Sequence, residues 1–183
     1  MAESERVALA LLMRQELLRS AVRLCLEHTG QFRVVHASAL DEAGLQAAAA
    51  VPAPALVMAA LCSGTEAEPP PDVLAWLVEH WASGRVLALT EGYEPELVHR
   101  AVAAGCTGVF CTRTGSMREL APALRQLYTG QSYLPPGALR ALGQPVRPRP
   151  ESALERVLRL CTEQEMKVID LVCPFAKGGK VGL

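Results

Sequence analysis

Along the first 130 residues, short apolar runs alternate with longer stretches whose apolar side chains recur every three or four positions. VALALLM (Val7–Met13) predicts a buried strand. Arg14–Thr29 follows with Leu17, Leu18, Val22, Cys25 and Leu26 at helical spacing, and Gly30 supplies the stop. FRVVHA (Phe32–Ala37) is the second strand, and Asp41 opens an Ala-rich helix to about Ala50. ALVMAAL (Ala55–Leu61) is the third strand, ending in the polar, proline-bearing loop SGTEAEPPP, which continues neither ladder nor helix. Asp72 then opens a helix with Val73, Leu74, Leu77 and Val78 that Gly84 closes. RVLALT (Arg85–Thr90) and GVFC (Gly108–Cys111) are strands four and five, separated by a helix over 95–104. Ser116 and Glu119 form a capping box for a last helix reaching Tyr128.

Strands that are almost continuously apolar and separated by helices belong to a parallel sheet covered on both faces. The expected fold class is therefore α/β: a five-stranded, doubly wound parallel sheet whose site lies at the C-terminal strand ends. After Gly130 the pattern changes. LPPGALRAL offers one short turn of helix, and a Pro/Arg-rich stretch including QPVRPRPE reads as a semi-extended linker. The domains expected are 1–136, a linker over 137–152, and a short helical extension over 153–183 in which Thr162 and Glu165 make a second capping box.

Composition narrows the class. Of 183 residues, 50% are hydrophobic and 20% charged, enough for a core and unlike a disordered chain. A net charge of −1 provides no global field for nucleic acid or an anionic membrane. No apolar run is long enough to span a bilayer, and the acidic start MAESER is unlike a secretory signal. The six cysteines form no CxxC pair and the four histidines no ligand spacing, so no metal or cofactor is expected. Cys62, just past strand three, is a small loop thiol or a redox-sensitive one. No nucleophile–base pair and no Gly-rich phosphate loop stands at any strand–helix turn, so an enzyme is not expected. A cytoplasmic location follows as an expectation.

Five segments carry a resemblance: LLMRQELLRSAVRLCLE, PALVMAAL, RVLALTEG, LVHRAVAAGCTGVFCT and ELAPALRQLYTGQSYLPP. Together they resemble the receiver domain of NarL/LuxR-type response regulators over about residues 5–136. LCTEQEMKVIDLV, at 160–172, resembles the opening helix of that family's helix-turn-helix DNA-binding module. The resemblance implies a flavodoxin-like receiver fold and a phosphorylation pocket at the strand ends. The positions of that pocket are altered. Met13 and Arg14 stand where the family carries its Mg²⁺-binding acidic pair, Ala60 where it carries the phosphoacceptor Asp, and Thr112 where it carries a Lys. Of the usual set only the hydroxyl of Thr90 is kept, and Val109 occupies the aromatic switch position.

Mg²⁺ requires hard oxygen ligands; a thioether and a guanidinium supply none. The sequence thus points to a phosphorylation-independent pseudo-receiver that signals through dimerisation or a partner regulator. The alternative is a binding module in which the vacated pocket takes a small metabolite, with Arg14, Thr90 and Arg113 as candidate contacts. For assembly, Leu120, Leu124, Leu127 and Tyr128 form the candidate interface stripe, and Leu17, Leu18 and Leu24 of the first helix add to it. DNA is a partner only if the chain continues beyond Leu183, because a helix-turn-helix reads the major groove with its second helix.

Overall fold

A computed structural model of the chain describes residues 6–61, 72–81 and 85–145. The expected linker over 146–152, the extension over 153–183 with its second capping box, Cys62 and the proline-bearing loop lie outside the described residues. Five strands, β1 (Val7–Leu12), β2 (Phe32–Ser38), β3 (Leu56–Leu61), β4 (Val86–Thr90) and β5 (Gly108–Cys111), form one parallel sheet in the order β2-β1-β3-β4-β5. Helices α1 (Glu16–His28), α2 (Glu42–Ala49), α3 (Asp72–His80), α4 (Pro95–Ala103) and α5 (Met117–Tyr128) connect and follow them. This is the doubly wound, flavodoxin-like architecture.

Strand alternation divides the core into two layers. Leu9, Leu11, Met13, Met58, Leu87, Leu89 and Phe110 face Val22 and Leu26 of α1 and Leu120, Ala123, Leu124 and Leu127 of α5. On the opposite face Leu12, Val57, Ala59, Leu61, Val86 and Ala88 meet Leu74 and Leu77 of α3 and Val98 and Ala101 of α4. Strand β1 lies inside the sheet between β2 and β3 and both of its faces are covered, which is why Val7–Leu12 reads as a continuous run rather than an alternation. At the exposed edge, β2 carries a bulge: Leu9 pairs with Val34 and Ala10 with His36. Such irregularity discourages edge-to-edge pairing with another sheet.

Two helix starts follow their sequence signals. The Asp41 carboxylate accepts from the Gly44 N–H at 2.8 Å, and Ser116 and Glu119 close a reciprocal capping box. The Ala-Gly-x-x-Gly turn before β5 has two distinct causes. Gly105 adopts φ +92°, where a Cβ is strained, whereas at Gly108 a Cβ would stand 2.8 Å from Leu87 Cδ1.

The segment after α5 does more than lead away. Tyr133 exchanges backbone hydrogen bonds with Thr107 and Val109 (3.0 and 2.9 Å), adding a bridge to the open side of β5, and its ring stacks on Phe110. A sixth helix, α6 (Pro136–Leu142), follows, with Ala138 and Ala141 buried in the α3–α4 layer. The unit therefore continues past residue 136, where the sequence places the start of the linker. The short helical turn expected here is a seven-residue helix, and its buried face, made only of alanines, gave no sign of packing onto the domain.

Candidate functional site

In the order β2-β1-β3-β4-β5 the winding direction reverses between β1 and β3, and a crevice opens there beyond the strand ends. Register determines what meets in it. Leu12 pairs with Ala59, Ala60 with Leu89, Leu61 with Thr90, and Thr90 with Cys111. Met13 (one residue past β1), Ala60, Thr90 and Thr112 are thereby brought to one place, although 99 positions separate the first from the last. They line a cavity of about 180 Å³ together with Arg14, Gln15, Leu18, Leu61, Leu89 and Glu91.

The floor and the rim of this cavity differ in chemistry. Met13, Leu61 and Leu89 are buried and form an apolar floor. Thr90 is 1% exposed, and its Oγ1 has no hydrogen-bond partner among the described residues. Arg14, Gln15, Glu91 and Thr112 are exposed at the rim. The Arg19 guanidinium donates to the Met13 carbonyl, and the Met13 N–H donates to Ser38 at 3.0 Å, so the turn after β1 is held from two sides. Gln15 is the N-cap of α1, and its side chain makes no capping bond.

The donors at the family's metal positions do not fit Mg²⁺. They are a buried thioether, a guanidinium and a methyl group, with Glu91 the one carboxylate among the described residues that line the cavity. Among the described residues no cluster of three His, Cys, Asp or Glu could hold a metal ion.

Four of the residues singled out in the sequence are placed elsewhere. Arg113 is exposed and does not line the cavity, because the turn after β5 carries it past Thr112. The α5 stripe is corrected more fully. Leu120, Leu124 and Leu127 are 2%, 0% and 1% exposed and pack against the sheet, so they form core rather than an outward interface. A helix covering a sheet directs its apolar stripe inward. Tyr128 alone of the four is exposed, with the Arg85 guanidinium 5.5 Å from its ring centroid.

The apolar surface lies on α1 instead, where Leu17 and Leu24 are 86% and 68% exposed. Ala21 and Cys25 are exposed between and beside them, giving positions i, i+4, i+7 and i+8 of one face, opposite the buried Val22 and Leu26. Leu17 and Leu24 are two of the three first-helix leucines that the sequence adds to the candidate interface. A wider cleft of about 510 Å³ opens at the other end of the sheet around Val7, Gln31, Arg125 and Tyr128. It is remote from the switch point and carries none of the singled-out chemistry except Tyr128.

No protein-family model and no curated protein matches the sequence. Solved structures do match in fold. The isolated receiver domain of RcsB from Salmonella enterica serovar Typhimurium aligns with TM-score 0.62 and 17% identity, covering 75% of this chain and 99% of that one. A LuxR-family two-component response regulator from Aurantimonas sp. SI85-9A1 aligns with TM-score 0.64 and 16% identity, covering 76% and 96%. A structure of two RcsB dimers bound to two parallel DNAs aligns with TM-score 0.65 and 20% identity, covering 85% and 76%. The fold is that of the receiver domains of LuxR-family response regulators. No helix among the described residues is long and apolar enough to cross a membrane.

Proposed function

We propose that the chain contains the receiver-type signalling domain of a LuxR-type transcription regulator and that it works without phosphoryl transfer. The observation that carries this reading is Ala60. It stands in the crevice next to Met13, where the resemblance implies a nucleophilic carboxylate beside a carboxylate pair, and it offers only a methyl group. Phosphoryl transfer depends on positioning and on neutralising the charge of the transferred group. The acceptor, the metal ligands and the lysine are replaced together. Treating the full chain with acetyl phosphate and Mg²⁺ should leave its intact mass unchanged; a stoichiometric, Mg²⁺-dependent phosphate adduct overturns the proposal.

A domain that is not switched by phosphate must present its output surface continuously. We assign that surface to the exposed face of α1 around Leu17, Ala21, Leu24 and Cys25, with a second copy of the chain as the occupant. The dimers of RcsB in a structure of the same fold support a second copy as the occupant, and the exposure of Leu17 and Leu24 supports the choice of α1. A two-fold contact of this kind repeats the same patch on both chains and needs at least about 1,000 Å² in total. DNA reading is assigned to a module whose opening residues lie near 160–173, not to the receiver.

A second reading, a ligand-binding role for the crevice, is favoured by one observation. Met13 and Leu61 line the cavity but leave about 180 Å³ between them and the rim.

A further inference from the structure

We propose that the cavity at the β1/β3 switch point binds a small, uncharged, mainly apolar molecule carrying one hydrogen-bonding group, of the size of a one-ring aromatic alcohol. The inference rests on the reading above that this crevice is not a phosphoryl-transfer site, and it adds the class of ligand.

Size sets the first limit. A volume of about 180 Å³ slightly exceeds the apolar cavity of about 150 Å³ that accommodates benzene in another protein. It falls well short of the 300–1,000 Å³ typical of drug-sized ligands. One ring or a chain of a few carbons fits; a nucleotide or a polyketide does not.

The floor sets the second. Met13, Leu61 and Leu89 are buried and apolar, and Ala60 continues that surface toward the rim. An ordered water needs two to four polar partners, and among the described residues this floor offers the side-chain hydroxyl of Thr90 alone. That hydroxyl is the specific feature: it is sealed at the floor and has no partner among the described residues. A buried hydroxyl without a hydrogen bond costs free energy that a partner recovers. A ligand hydroxyl that reaches Thr90 Oγ1 satisfies both groups while its carbon skeleton covers Met13 and Leu89.

Charge sets the third. The rim carries Arg14 and Glu91, of opposite sign and both exposed. Their fields oppose one another and water screens each, so an ionised head group gains little there and loses hydration at the floor. An anion site built on Arg14 and Arg113 is disfavoured for the same reason, since Arg113 is not part of the cavity.

The test is a titration of the ¹⁵N-labelled full chain with phenol, sodium benzoate and sodium acetate, followed by amide chemical shifts. Phenol should produce saturable shifts at Ala60, Leu89 and Thr90, with benzoate no tighter and acetate without effect. Thr90→Val keeps the shape and removes the hydroxyl, and should weaken phenol roughly two- to tenfold. Ala60→Leu fills the cavity and should abolish those shifts while the spectrum stays dispersed. If Ala60→Leu does not fold, Thr90→Val carries the comparison. Absence of saturable shifts at the three amides, unchanged phenol affinity in the folded variants, or saturation by acetate alone would overturn the inference. Failure here with an unmodified mass after acetyl phosphate leaves the phosphorylation-independent reading standing; a phosphate adduct removes both.

Discussion

Thr112 donates both its backbone N–H and its hydroxyl to the carbonyl oxygen of Thr90, at 2.7 and 3.2 Å. The side chain at the family's lysine position is thus engaged with the end of β4. It ties the last residue of β4 to the turn after β5 and fixes the wall of the crevice. The Thr90 hydroxyl, by contrast, has no hydrogen-bond partner among the described residues. Two threonines at the ends of neighbouring strands have opposite roles, one as a backbone clamp and one as an open hydrogen-bonding group.

Restoring the acceptor alone should not restore phosphorylation. Ala60→Asp places a carboxylate next to the buried Met13, while Arg14 and Thr112 still supply neither metal ligand nor lysine. Intact-mass spectrometry with acetyl phosphate and Mg²⁺ should show Ala60→Asp as unmodified as the parent chain. A full phosphate adduct on Ala60→Asp would show that the remaining residues suffice for the chemistry.

The two leucine sets on α1 and α5 should respond in opposite ways. Leu124 is 0% exposed, so Leu124→Ala is expected to cost about 2–5 kcal/mol in urea unfolding. Leu17→Glu and Leu24→Glu alter exposed positions and should change stability by no more than about 0.5 kcal/mol in the monomer. The same two variants should lower the mass measured by light scattering from dimer to monomer. A parent chain that is monomeric at high micromolar concentration would contradict the α1 assignment.

Thiol reactivity should separate Cys25 from Cys106. Cys25 is exposed on α1, whereas burial pushes the Cys106 thiol up to about 12, so at neutral pH it carries almost no thiolate. Peptide mapping after brief iodoacetamide treatment of the folded monomeric variant Leu17→Glu, whose α1 face is uncovered, should find Cys25 alkylated and Cys106 intact. Denaturant should equalise the two. Alkylation of Cys106 at the rate of Cys25 in the folded state would mean that the α4–β5 turn opens readily.

His36 should make stability fall on the acid side of neutrality. Burial lowers its pKa below the ordinary 6.5; its ring lies 2.9 Å from Ser38 Oγ through Nε2 and packs edge-on against Trp81. The unfolded chain therefore takes up this proton before the folded one does. The stability held by neutral His36 is complete above 6.5 and is lost as pH falls from there through the depressed folded value. Urea midpoints for His36→Gln should show a shallower decline between about pH 7 and 5 than the parent; identical slopes would remove His36 as the cause.

The sequence by itself determined the strands and helices of the sheet. Runs such as Val7–Leu12 and Val86–Thr90 are apolar on both faces, and the spacing of Leu120, Leu124 and Leu127 admits little besides a helix. The Ser116–Glu119 capping box, the Asp41 cap and Gly105 ahead of β5 marked boundaries, because those signals act within a few residues. It also placed Met13, Ala60, Thr90 and Thr112 at strand ends, and the parallel order then required them to converge.

Only the tertiary structure decided which apolar face is inward. On α5 the leucine stripe that the sequence offers as an interface is core, and on α1 Leu17 and Leu24 are left outside, because each helix has one sheet to cover and the handedness of its crossover selects the covering side. The structure also decided that residues 136–142 pack onto the domain, since a face made of alanines signals burial only when a neighbour lies within reach. It excluded Arg113 from the crevice by the direction of one turn, and it left Thr90 Oγ1 without a partner among the described residues. Hydrogen-bond satisfaction depends on atoms distant in sequence, so no local pattern of residues reveals it.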